Sequence, residues 1–233
     1  MCGRFILKTP FSELVRLYNL TNSVNLAPRY NVAPTQDVAV VRSSPTGGRT
    51  LALMHWGLVP WWAKDLKVGV RMINARDDTL VSKPAFREAF EARRCLVPAD
   101  GFYEWKKLDG KRKQPYAILP RDGGVFSFAG LWEHWRDKAS GGTVLSCTII
   151  TTSPNTLCAP IHDRMPAILP PEAWGRWLGE ERASSAELQA LLEPYPVDAM
   201  IALPIGSRVG NVENEGPELL EPVSEDASAR RLL

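Results

Sequence analysis

The sequence predicts a single α+β domain built on a curved, barrel-like and mostly antiparallel sheet with a few helices around it. Three observations predict this class. Segments rich in Val, Ile, Leu, Phe, Tyr and Trp recur along most of the chain, Gly-Gly or Asp-Gly pairs separate several of them, and helical periodicity is confined to a few short stretches.

The elements follow in order. Phe11, Leu14, Val15 and Tyr18 fall at i, i+3, i+4 and i+7 behind Pro10 and Ser12, which describes an amphipathic helix over 11–19. Strands over 38–42 and 50–58 flank Gly47-Gly48, whose freedom at positive φ suits a tight turn. After Pro84 the helical period returns in Phe86, Ala89, Phe90 and Arg93. Strands are expected over 94–98, 101–107, 114–119, 125–133 and 143–152, with turns at Asp109-Gly110, Gly123-Gly124 and Gly141-Gly142. Ser184 and Glu187 form a capping box that opens a helix over 185–192, and a last strand is expected over 197–203. No linker, charge block or repeat divides the chain, so residues 1–223 read as one domain. Residues 224–233 read as a polar, mobile tail with no assigned function.

At 233 residues, with 45% hydrophobic and 23% charged side chains, the chain can bury a core without a disulfide or metal staple, and disordered or collagen-like classes are excluded. No stretch approaches 18 uninterrupted apolar residues, and Met1-Cys2-Gly3-Arg4-Phe5 lacks a signal-peptide pattern, so no membrane partner and a cytoplasmic, nucleoid-associated location are expected. Cys2, Cys95, Cys147 and Cys158 are far apart without a C-x-x-C pair and read as reduced thiols. Residues 1–170 carry 23 basic and 14 acidic side chains, whereas 171–233 carry 5 and 12. That asymmetry suggests a basic face for an anionic partner, although charge scattered over the surface would give the same count.

Five features could carry chemistry. Loss of Met1 would leave Cys2 with an α-amine of pKa about 7.7–8.0 and a thiol of about 8.5 on adjacent carbons. Such a 1,2-aminothiol condenses with an aldehyde to an imine that the thiol closes to a thiazolidine; the thiolate could instead attack an acyl carbon, or the cysteine could stand there by chance. Asn74-Ala75-Arg76, after Met72-Ile73, offers an amide to orient an oxygen and a guanidinium to hold a phosphate or carboxylate, or else a turn-forming Asn beside a surface Arg. Glu104 lies in an aromatic strand over 98–105; burial would raise its pKa into a range useful for acid/base work, while strand alternation equally allows it to face solvent. His162-Asp163-Arg164, in a loop between Pro160 and Pro166, could shuttle protons or be structural. His55 and His134, in tryptophan-rich strands, read as structural. Trp61-Trp62 cannot both face one core if the segment is extended, so one indole should be exposed and able to stack on unpaired bases, unless the loop folds back. Cys147, Cys158 and His162 have no metal-ligand spacing, and G-x-x-x-x-G-K-[ST], G-x-G-x-x-G and G-x-S-x-G are absent, so no metal or nucleotide cofactor is expected.

Taken together, Cys2-Gly3-Arg4-Phe5, Tyr30-Asn31-Val32-Ala33-Pro34-Thr35, Trp56-Gly57-Leu58-Val59-Pro60-Trp61-Trp62, Asn74-Ala75-Arg76, the run 98–105 and Ile161-His162-Asp163-Arg164-Met165-Pro166 closely resemble the SRAP family of SOS response-associated peptidases. Residues 209–220 resemble that family's closing segment, so the resemblance spans about residues 2–223. It implies a bifurcated, barrel-like sheet and a suicide-type protector of abasic sites in single-stranded DNA, forming a thiazolidine crosslink through Cys2 once Met1 is lost by autoproteolysis. It further implies that Asn74 orients the sugar or the cysteine, Glu104 serves as acid/base, and His162 moves protons. Arg4, Arg76 and Arg164 would hold phosphates, and Trp61, Trp62 or Trp105 would stack on bases. Preference for single-stranded over duplex DNA, with little base specificity, follows from phosphate-dominated contacts. The rival readings are an N-terminal-nucleophile amide hydrolase and a noncatalytic reader of modified bases.

Overall fold

A computed structural model describes residues 2–137 and 141–223. The expected tail over 224–233 and the expected loss of Met1 lie outside the described residues. In chain order the elements are β1 (Phe5–Leu7), α1 (Phe11–Tyr18), β2 (Arg29–Val32), β3 (Asp37–Ser43), β4 (Arg49–Trp56), β5 (Asn74–Arg76), α2 (Pro84–Ala92), β6 (Arg94–Ala99), β7 (Gly101–Lys107) and β8 (Lys113–Pro120). Then come β9 (Phe126–Arg136), β10 (Thr143–Thr152), β11 (Met165–Pro166), α3 (Trp174–Leu178), α4 (Ser185–Ala190) and β12 (Met200–Pro204).

Strands β4, β3, β6, β9 and β10 pair in that order, and β10 returns to β4, which closes a five-stranded barrel. The closing pair is parallel, with Cys147 opposite Trp56, as is the short pair of β5 with β10, so the predicted antiparallel sheet is antiparallel except around β10. A second, wholly antiparallel sheet runs β12, β8, β7, β1, β2. The chain passes from barrel to second sheet through one residue, Asp100, between β6 and β7. Its buried carboxylate accepts from the backbone N of Lys8 at 2.6 Å, the backbone N of Thr9 at 2.9 Å and Thr9 Oγ1 at 2.6 Å. Asp100 N in turn donates to Ile6 O at 2.8 Å, so a buried charge satisfied by three donors pins β1 to the corner.

Side-chain alternation then sorts the second sheet. Phe5 and Phe102 face the barrel, where Phe5 lies 5.2 Å from the Trp56 ring and Phe102 lies 5.9 Å from Phe128. Ile6 and Tyr103 point the other way, into a separate cluster with Ala117, Ile205 and Val209. The predicted amphipathic helix α1 buries Leu14 and Tyr18; Tyr18 stacks on Trp174 at 4.7 Å and its hydroxyl meets Ser127 Oγ at 2.7 Å. The Ser184 capping box is present at α4.

The differences from expectation are local. Residues 197–199 form a 3-10 turn before β12, because Pro196 opens a tight turn there. Strands β1, β2, β5 and β11 and helix α3 are too short to leave a periodic signal. Of the two alternatives for His134, packing or a structural polar contact, the second fits: its side chain is 61% exposed on the outward phase of β9, 3.5 Å from Glu133 Oε1.

The loop between β4 and β5 is clamped where Gly57, at φ 140°, meets Gly69 backbone to backbone. A Cβ on Gly69 would stand 2.4 Å from Gly57 O, and neither backbone can move aside. Gly69→Ala is therefore expected to cost about 1–3 kcal/mol, read in urea as a lower midpoint at unchanged slope; a midpoint equal to wild type would show that the two backbones can separate.

Candidate functional site

The expected chemistry-bearing residues come from four distant segments: the N-terminus, β5, β7 and the loop that follows β10. On β7, Glu104 has the same phase as Phe102 and so faces inward; only 4% of it is exposed. Burial pushes its carboxyl above the ordinary range, an effect that nearby His162 opposes. Cys2 is fully buried in the same main core. Burial, and then the charge of Glu104, push its thiol well up, and Sγ points at Arg4 O, 4.0 Å away. The thiol is thus held protonated until its surroundings change.

His162 stands on a turn fixed by Asn155, whose Oδ1 accepts from Leu157 N at 3.2 Å and Cys158 N at 3.0 Å. His162 N donates to Cys158 O at 2.9 Å. His162 Nδ1 accepts from Arg164 N at 3.0 Å and lies 2.9 Å from Asp163 Oδ1. The Asp163 side chain is 89% exposed, whereas the Arg164 N–H is fixed by the backbone and orients the ring.

The third contributor is β5, which pairs in parallel with the last residues of β10, Asn74 opposite Ile149 and Arg76 opposite Thr151. Asn74 Nδ2 donates to Ile149 O at 3.3 Å, while its buried Oδ1 has no hydrogen-bond partner among the described residues. Just before it, Ile73 O accepts the Trp56 indole N–H at 2.9 Å, and Trp56 packs on Phe5, so Asn74 is tied through two contacts to β1, the strand that follows Cys2.

The three arginines divide. Arg4 Nη1 donates to Asn31 Oδ1 at 2.7 Å and Val209 O at 2.8 Å, and Nη2 to Gly210 O at 3.2 Å. Arg164 Nη2 donates to Asp77 Oδ1 at 2.5 Å and also to Thr151 O. Both guanidinia are engaged by the protein. Arg76 is half exposed and forms a bidentate pair with the equally exposed Asp78, at 3.1 and 2.7 Å, which a phosphate can replace at small cost.

Both Trp61 and Trp62 are exposed, at 56% and 50%, where only one was expected. The premise of an extended segment fails: Ala63 N donates to Pro60 O at 2.8 Å, placing the two indoles at the corners of a turn. Val59 and Ala63 on either side are buried under Trp135, whose indole N–H donates to Ala63 O at 2.8 Å, so the turn is anchored and its corners project. Trp105 does not join them. One residue out of phase with Glu104, it is partly buried and packs on the cluster of Ile6 and Tyr103 across the sheet.

Two residues beside the site carried no legible signal. Cys158, near Glu104, is buried and its thiol is pushed up to about 12 by burial and by that carboxylate. Asp77 holds Arg164 with one oxygen and Thr152 Oγ1 with the other at 3.0 Å. All four cysteines are free and buried, no group of His, Cys, Asp and Glu among the described residues could hold a metal, and no helix there is long and apolar enough to cross a membrane.

The family model described as SOS response associated peptidase (SRAP) matches residues 1–212. The chain is 44% identical over 224 residues to the abasic site processing protein YoqW of Bacillus subtilis, covering 95% of this chain and 99% of that one. It is 32% identical to the abasic site processing protein HMCES of Pongo abelii, covering 96% of this chain and 76% of the relative. A crystal structure of a protein from Bacteroides thetaiotaomicron, 29% identical, superimposes with a TM-score of 0.86 over 96% of this chain and 100% of that one. With the SRAP model matching residues 1–212 and a relative 44% identical over 95% of the chain, the chain belongs to the SRAP family.

Proposed function

We propose that the protein processes abasic sites in DNA, and that it does so by capturing the lesion covalently in single-stranded DNA through Cys2 once Met1 is gone. The observation that carries this reading is the buried carboxyl of Glu104, electrostatically coupled to both the Cys2 thiol and His162.

The chemistry follows from the groups. Glu104, retaining its proton to higher pH than an ordinary carboxyl, protonates the ring oxygen of the abasic deoxyribose as the aldehyde opens. The Cys2 amine adds to that carbonyl carbon, and the carbinolamine loses water to give an imine. Cys2 Sγ then adds to the imine carbon while the thiol proton ends on nitrogen, which closes a five-membered thiazolidine without any oxidant. His162 relays protons in both directions, and Asn74, with its unpartnered oxygen, orients the sugar hydroxyl or the amine. Arg76 draws the phosphate, and Trp61 and Trp62 stack on unpaired bases.

A buried thiol with a raised pKa favours the amine as first nucleophile, which counts against acyl transfer begun by a thiolate. The noncatalytic reader of modified bases gives no reason to bury a carboxyl beside a thiol.

On a denaturing gel, a single-stranded oligonucleotide with one abasic site is expected to shift, while the intact strand does not and an abasic duplex shifts less. Cys2→Ala abolishes the band, and Cys2→Ser leaves an imine that borohydride traps. An unshifted abasic strand, with protein whose intact mass shows Met1 lost, would sink the reading.

Glu104→Gln is expected to slow capture about 10²- to 10⁴-fold. The same variant tests the buried carboxyl through stability. With the folded pKa raised, the native state binds more protons than the unfolded one over the interval between the two values, so wild-type stability falls as pH rises through it. Glu104→Gln should therefore be the more stable protein at pH 7, with its advantage gone below about pH 4. Urea melts across this range would contradict the assignment if the two curves ran parallel.

Trp61→Ala and Trp62→Ala should each weaken binding to an intact single strand by about 1–3 kcal/mol, measured by fluorescence titration. Unchanged affinity in both would remove the stacking role.

A further inference from the structure

We propose that residues 207–215 are a positioning strap for the Cys2 nucleophile, acting through the side chains of Arg4 and Asn31. The inference rests on the reading that Cys2 is the nucleophile and assigns what holds it in place. β1 is three residues long, and Cys2 lies beyond its end. The link between them is Arg4, whose carbonyl receives Tyr103 N–H at 3.0 Å and faces the Cys2 thiol at 4.0 Å. A strand this short has little to fix its first residues, so the position of Cys2 depends on what fixes Arg4.

The strap supplies it. Asn31, fully buried on β2, accepts from Arg4 Nη1 at 2.7 Å and donates through Nδ2 to Val209 O at 3.3 Å, Asn211 O at 2.9 Å and Asn214 O at 2.9 Å. Arg4 itself donates to Val209 O at 2.8 Å and Gly210 O at 3.2 Å. Four carbonyls of one segment, about two hundred residues away in sequence, converge on two side chains. The strap is tied down at its start by the fully buried Val209, packed in the cluster of Ile6 and Tyr103, and at its end by Glu215 Oε2, which accepts from Tyr30 N at 2.7 Å. Tyr103 O–H closes the circuit on Tyr30 O at 2.7 Å, one residue before Glu104. The same network therefore sets the thiol and the carboxyl relative to each other, and a small displacement of either is felt in the rate far more than in DNA affinity. Arg4 and Asn31 are positioning residues, and Arg4, caged by carbonyls, is not a phosphate ligand.

The test measures two quantities on the full chain: the single-turnover rate of aldehyde capture at saturating abasic single strand, and the dissociation constant for the same strand with an intact base. Arg4→Lys keeps the positive charge and so any attraction to phosphate, but cannot reach the carbonyls in a fork. Asn31→Ala removes the hub. Both variants are expected to lose at least about tenfold in saturated rate while affinity for the intact strand stays within about twofold. Loss of affinity at an unchanged saturated rate would make Arg4 a phosphate ligand and overturn the proposal, as would wild-type values for both quantities. Should Asn31→Ala fail to fold, Arg4→Lys, at a partly buried guanidinium, decides alone. A wild-type protein that captures no aldehyde overturns the underlying reading and the strap with it, whereas a capturing wild type with unchanged variants overturns the strap alone.

Discussion

The aromatic seam between the second sheet and the barrel is the constraint on which the rest of the molecule depends. Phe5 against Trp56 and Phe128, and Phe102 against Phe126 and Phe128, fill the space between two sheets that share no strand pairing. Large rings packed edge to face resist sliding, since any shift opens a gap with no atoms to fill it. The phase of β1 and β7 is thereby set, and with it the direction of every second side chain. Glu104 follows Phe102 inward, and Tyr103 and Trp105 go outward. A one-residue slip would exchange the two sets and carry the carboxyl to the far face.

Placing that carboxyl inside carries a desolvation cost. The buried inner face of the second sheet offers little solvation, so Glu104 holds its proton more tightly than a surface glutamate, and the buried thiols of Cys2 and Cys158 hold theirs more tightly as well. A buried acid beside a buried thiol is a poor stabiliser of a native state. At the other extreme, Asp100 is a buried carboxylate with every obvious partner supplied, and its work is purely to hold the corner.

Legibility followed the length of the signal. α1, with four apolar positions in phase, and the long strands β3, β4 and β6 to β10, with glycine turns between several of them, were readable because each spans more than one period. β1, β5 and β11 were not, because two or three residues contain no period and their pairing is decided by β10 and β7, far along the chain. For the site, Cys2, Glu104, Asn74 and His162 were nominated by residue type and by the resemblance of the motifs around them. The error at Trp61-Trp62 came from assuming an extended backbone, which one hydrogen bond across the turn overrides.

By itself, the sequence determined the α+β class, the family, the chemical inventory and the absence of cysteine pairing motifs, because these depend on composition, periodicity and motifs that can be read locally. The tertiary structure alone decided that the barrel closes through a parallel pair, that Glu104 faces inward while Trp105 does not, and that Arg4 binds carbonyls two hundred residues away. These outcomes turn on which strands meet and in what register. Hydrogen-bond satisfaction of buried groups and the packing of large rings settle that over the whole molecule at once, and no local stretch of chain encodes it.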